Sequence, residues 1–249
     1  FPNDDGHQGN LIARFVDRCC LLPQVHPLGK HHSYSNVAYI IAGRLIEVVM
    51  GQSWFETVEN QIIKPLGLSH SFVKPTEALR FRSAMGHMPD LEKEGVWQLA
   101  HTCYPPLGLA PAGTTLSMSA ADLITFARAH LNQGLIDFLP DTGNSVNTRW
   151  LSAEAVQKMQ MSGVILPPYS PFSITDWGLG WFMANGEYMP MIGHDGATFG
   201  QSCVLRLVPE QNFAFVVQTN CLNSTVLKTV LNDLLPILAD IHLTPVEPT

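Results

Sequence analysis

The hydrophobic period of this chain changes once, near Trp177, and that change limits the folds open to it. Before it, apolar residues recur at helical steps. Ile40, Ile41, Leu45, Val48 and Val49 place a helix over residues 37–50, stopped by Gly51. Ser53-Trp54-Phe55-Glu56 is a capping box opening the next helix, which Lys64-Pro65-Leu66-Gly67 ends. Ser119 opens another through Leu131, stopped at Gln133-Gly134, and Ser152 caps a shorter one through Met161. After Trp177 the alternation is that of strands. Gly180-Trp181-Phe182-Met183, the turn pair Asn185-Gly186 and residues 188–192 read as one hairpin, and residues 201–208 and 213–219 as a second. A last helix over residues 225–242 is interrupted at Pro236. The expected class is α+β: an antiparallel sheet with a C-terminal helix packed on it, plus a helical region. A single domain over residues 1–249 is expected, helical over about 37–162, with sheet and terminal helix over about 177–242.

Charge narrows the function. Acidic residues outnumber basic ones 21 to 14 and no Lys/Arg cluster occurs, which argues against a nucleic-acid or anionic-membrane partner and for a small-molecule substrate. No apolar run reaches the roughly 18 residues of a membrane span. The chain begins Phe1-Pro2-Asn3 rather than with Met, so it reads as a processed form or a piece of something longer. Five cysteines without C-x-x-C spacing read as buried thiols. The phosphate loop, the dinucleotide fingerprint, H-E-x-x-H and G-x-S-x-G are all absent, and the adjacent His31 and His32 point different ways. Neither a cofactor nor a metal is expected.

Two short motifs remain. Tyr34-Ser35-Asn36 stands directly before the long apolar helix, and His194-Asp195-Gly196-Ala197 stands between two strands. Tyr34 to Leu68, Pro111-Ala112-Gly113 through Leu123, Trp177-Gly178-Leu179-Gly180-Trp181 and Gly193 to Pro209 occur in the order of the serine β-lactamase-like superfamily. Over most of its length the chain resembles that superfamily of class C β-lactamases, D,D-peptidases, family VIII esterases and related acyltransferases.

The resemblance implies cleavage of an ester or amide through a serine acyl-enzyme, using S-x-x-K, Y-x-N and [KH]-x-G motifs. Tyr34 matches the tyrosine that shares proton transfer with the lysine. Asn36 matches the amide that holds lysine and substrate in register. His194 matches the cationic position of the third motif, Gly196 the close approach of the strand, and the Ala197 N–H one oxyanion donor. Histidine at that position carries no permanent charge, and Asp195 replaces a hydroxyl residue that often holds a substrate carboxylate, so neutral esters are the expected substrates.

The nucleophile is missing. The 33 residues before Tyr34 contain no S-x-x-K and read as a connecting segment with a short helix. Ser71-Phe72-Val73-Lys74 matches the letters, but Pro75 restricts Lys74 to extended conformations, so the pair cannot open a helix. The expectation is therefore the C-terminal portion of an esterase-type hydrolase whose N-terminal part is missing, with a second chain or self-association covering that part. The alternatives are an inactive binding or assembly protein of the same fold and an acyltransferase using the same residues.

Overall fold

The computed structural model describes residues 10–102, 104–139, 144–166, 174–185 and 190–222, together with 226, 229, 230, 233 and 237. The chain divides into two compact units, residues 1–83 with 102–119 and residues 84–101 with 120–249.

In the first unit, helix α1 (Leu11–Cys19) precedes α2 (Asn36–Met50) and α3 (Trp54–Val58). The caps explain the boundaries. The Ala38 N–H donates to the Ser35 hydroxyl at 3.2 Å, and Gly51 closes α2 in the left-handed region, at φ 66°. At α3 both halves of the capping box form: the Glu56 N–H donates to the Ser53 hydroxyl, and the Ser53 N–H to the Glu56 carboxylate. The helix then continues as a wider π-helical turn over Glu59–Ile63. Gly43 lets the Pro111 ring lie directly on α2, in the space a Cβ would take. Ile40 is fully buried, yet Ile41, Leu45, Val48 and Val49 remain 44%, 62%, 64% and 73% exposed.

The second unit is built on a six-stranded antiparallel meander: β1 (Val164–Ile165), β2 (Ile174–Trp177), β3 (Phe182–Asn185), β4 (Pro190–Thr198), β5 (Gln201–Val208) and β6 (Phe213–Thr219), each pairing with its neighbour in sequence. Both expected hairpins are present in register, with Asn212 at φ 50° ending the β5–β6 turn. The turn at Gly186 lies outside the described residues, as does most of the expected terminal helix, of which Val226, Thr229 and Ile237 are helical. One face of the sheet packs Ile192, Leu205 and Leu207 under α4 (Ala120–Leu131), through Leu123, Phe126 and Ala127. The other gathers Phe182, Met191, Val204 and Val208. Helix α5 (Ala153–Met159) begins at Ser152, whose hydroxyl accepts the Ala155 N–H at 3.0 Å.

Three strand pairs interrupt the stretch expected to be helical: Ser71–Phe72 with Ser117–Met118, His87–Pro89 with Trp97–Leu99, and Leu135–Leu139 with Asn144–Arg149. Each strand is too short or too irregular to show a period of two. The sheet also begins earlier than expected, at Val164. Of the four described cysteines, none in a disulfide, Cys20 is exposed and the others are half-buried, so the buried-thiol expectation fails.

Candidate active site

Strand β4 is paired on both sides only at its start. β3 contacts it over Pro190–Gly193, whereas β5 runs beside it through Thr198. From His194 onward, one edge of β4 therefore meets no other described strand. His194, Gly196 and Ala197 all lie on this segment, with Gly196 and Ala197 exposed. A Cβ added at Gly196 would meet nothing within 4 Å, so the space kept clear there is not needed by the protein's own packing.

The His194 ring is held from two sides, 5.5 Å from the Trp177 ring and 6.0 Å from that of Phe182. Its Nδ1 lies 2.6 Å from the Asp195 carbonyl oxygen. A carbonyl can only accept, so Nδ1 carries the proton of that bond.

Asp195 does not face the site as an unpaired carboxylate. Arg206 of β5 reaches it with both terminal nitrogens, Nη1 to Oδ1 and Nη2 to Oδ2, the latter at 3.1 Å. Gly193, directly opposite Arg206, leaves room for that side chain to cross β4. The guanidinium carbon sits 4.7 Å over the Phe182 ring, and Nη1 also donates to the Leu205 carbonyl. The guanidinium is thus sandwiched in the sheet, 3% exposed, beside a carboxylate that is 30% exposed. Cys203, opposite Gly196, is desolvated enough for its thiol to be pushed up to about 11, which makes it a poor nucleophile at neutral pH.

In the first unit, Tyr34 is 56% exposed and Asn36 is the exposed first residue of α2. Ser35 between them is the helix cap, so the backbone that holds the cap also fixes the two flanking side chains. Partial burial, with a smaller contribution from Tyr39, raises the Tyr34 phenol above its ordinary value, so it is protonated at neutral pH. Ser71 is buried in a strand that pairs with Ser117–Met118, and Lys74 is extended at φ −104°, ψ 124°, ahead of a short 3₁₀ turn. They share no helical face, so this serine–lysine pair lacks the geometry for mutual proton transfer. The structure therefore brings His194, Gly196 and Ala197 together on one strand, and Tyr34 and Asn36 together at one helix start. Sequence reading missed Arg206. The signal available was an arginine in the otherwise apolar Val204-Leu205-Arg206-Leu207-Val208. Among the described residues no cluster of His, Cys, Asp or Glu side chains could hold a metal ion, and no helix is long and apolar enough to cross a membrane.

Comparison with known proteins agrees with this frame. The Beta-lactamase family model matches residues 1–238. Penicillin-binding protein 4 of Amycolatopsis lactamdurans is 38% identical over 226 residues, covering 88% of this chain and 55% of that protein. The chain thus spans about half the length of that relative. The crystal structure of SurE superposes with a TM-score of 0.74 at 25% identity, over 100% of this chain and 54% of SurE. A D-stereospecific amidohydrolase from Streptomyces sp. superposes with a TM-score of 0.62 at 25% identity, over 82% of this chain and 56% of that one.

Proposed function

The chain belongs to the beta-lactamase family of serine hydrolases, and we propose that it supplies the tyrosine–asparagine and histidine–glycine parts of a site that cleaves an ester or amide through an acyl-enzyme, with esters preferred. The observation that carries this reading is the edge of β4 beyond its pairing with β3, on which His194, Gly196 and Ala197 stand with no described atom within 4 Å of a Cβ placed at Gly196.

The parts then divide the work. The acyl oxygen lies against the Ala197 N–H, which stabilises the charge that develops on it in the tetrahedral intermediate. The Tyr34 phenol shares with the lysine the relay of the proton from the attacking serine to the leaving group. The Asn36 amide orients the substrate, and His194 stands beside its outer end. The attacking serine and its lysine come from outside residues 1–249, because Ser71 and Lys74 lack a shared face.

The acyl group follows from the same edge and from the relatives. His194 brings no permanent charge and Asp195 is already paired, so nothing on this edge favours a second carboxylate. The Streptomyces amidohydrolase is D-stereospecific, and SurE has been crystallised with D-Leu. Both support an acyl donor with a D residue at the scissile carbonyl. The test uses the longer natural polypeptide that contains this chain, with the 4-nitrophenyl esters and the primary amides of N-acetyl-D-Leu and N-acetyl-L-Leu. The expected result is an ester faster than its amide, with the D form at least about tenfold ahead in kcat/KM, a difference of about 1.4 kcal/mol in transition-state binding. No turnover of either ester would contradict the hydrolase reading, and an L form equal or faster would contradict the stereochemical one.

A further inference from the structure

Arg206 lies in the second unit, one strand behind the edge that carries His194 and Gly196, and its guanidinium has no route to water. Every contact it makes points to a single job. Both terminal nitrogens are spent on the Asp195 carboxylate, with one shared to the Leu205 carbonyl. The Phe182 ring that stacks on the guanidinium also packs against the His194 ring. A Cβ at Gly193 would collide first with the Leu205 carbonyl oxygen and would also lie 3.0 Å from Arg206 Cδ, so the glycine admits both the close backbone approach and the Arg206 side chain. A buried pair of this kind is not needed for stability, since an apolar pair of equal volume serves as well. Its effect is on charge. Asp195 is the middle residue of the H-x-G motif, and with its carboxylate unmasked the edge would carry a negative charge within one residue of Gly196.

Resting on the assignment of the β4 edge as the acyl-binding edge, we propose that Arg206 is a positioning residue that acts through Asp195 as a charge mask, holding the edge electrically neutral and thereby setting which substrates, neutral or anionic, it accepts. Arg206 touches no reacting atom in this arrangement. Of the neighbouring strands, the described part of β3 carries no charged side chain, and β2 carries Asp176, whose ionised carboxylate accepts from the Ser162 hydroxyl at 2.5 Å and is present alike in every variant below.

Two kinds of measurement on the longer polypeptide test this. The first compares 4-nitrophenyl butyrate with 4-nitrophenyl hemisuccinate, which have acyl chains of equal length ending in a methyl and a carboxylate. Arg206→Gln unmasks Asp195 and should lower the hemisuccinate-to-butyrate ratio of kcat/KM roughly fivefold. Asp195→Asn leaves the guanidinium unpaired and should raise the ratio by a similar factor, a size consistent with one charge several ångströms away at intermediate dielectric. The double variant should return to within twofold of the parent. A residue serving only as a clamp would slow both substrates alike and could not produce opposite signs in the two single variants.

The second measurement needs no turnover, so a failure of the hydrolase reading leaves it intact. A thiol introduced by Ala197→Cys reports the local charge through its alkylation by iodoacetamide at pH 7.5, followed at that residue by peptide mass analysis. Added to that variant, Arg206→Gln should slow alkylation about fivefold, Asp195→Asn should speed it, and the double change should restore it. Where Arg206→Gln alone fails to fold, Asp195→Asn and the double variant still carry the test. An unchanged ratio together with unchanged alkylation in Asp195→Asn would overturn the proposal.

Discussion

Gly193 and Gly196 stand on one strand, and the structure asks different things of them. A Cβ at position 193 would collide with the Leu205 carbonyl oxygen and lie 3.0 Å from Arg206 Cδ, whereas one at 196 would meet no described atom within 4 Å. Gly193→Ala should therefore cost about 1–3 kcal/mol of stability by overpacking, read as a lowered denaturation midpoint. Gly196→Ala should leave that midpoint within about 0.5 kcal/mol, since its methyl meets no described atom, while on the proposed role of this edge it should cut kcat/KM for the ester. A loss of stability in Gly196→Ala equal to that in Gly193→Ala would contradict the reading. Gly196, like Tyr34, Asn36 and His194, was legible because it sits in a short contiguous motif. The Arg206–Asp195 pair was not, since joining residues 11 positions apart requires knowing the β4–β5 register, and periodicity alone gives no register.

At the scale of elements, helix α4 is held to the sheet by an unusual core residue. His130 is 0% exposed, and its ring is boxed by Phe126, Trp150 and Trp181 at centroid distances of 4.7, 5.6 and 5.1 Å. Among the described residues neither ring nitrogen has a hydrogen-bond partner, so the imidazole is held neutral, lowered from 6.5 to about 4 by burial. The sign follows directly. Between those two values the unfolded chain binds a proton that the folded one refuses, so this contribution is complete above about pH 6.5 and is lost as pH falls toward 4. The loss amounts to about 3 kcal/mol. Denaturant unfolding should show it in that window, and His130→Phe should flatten the curve there; a parent and variant of equal slope would contradict the account. The helices themselves were legible from Ser53, Ser152 and Gly51, whose local capping chemistry needs no tertiary information. The pairs at 87–99 and 135–149 were not, because strands of three residues, or strands whose register shifts between Ile136 and Phe138, show no alternation to read.

At the scale of the whole molecule, α2 presents an apolar stripe to solvent, with Leu45, Val48 and Val49 between 62% and 73% exposed. A polypeptide of residues 1–249 should consequently bind an apolar dye such as ANS, and Leu45→Lys with Val49→Lys should reduce that binding while changing stability by less than about 0.5 kcal/mol. Dye binding unaffected by the two substitutions would place the exposed surface elsewhere. The central claim is that this chain supplies Tyr34, Asn36 and the His194–Ala197 edge to an acyl-enzyme site whose nucleophile lies outside it. Its most direct test is fluorophosphonate labelling of the longer natural polypeptide, with the adduct located by peptide mass analysis and its rate compared between the parent and Tyr34→Phe. The account predicts one stoichiometric adduct outside residues 1–249, formed about a hundredfold more slowly in the variant, as removal of a general acid–base group requires. An adduct on Ser71, or labelling of Tyr34→Phe at the parent rate, would contradict it.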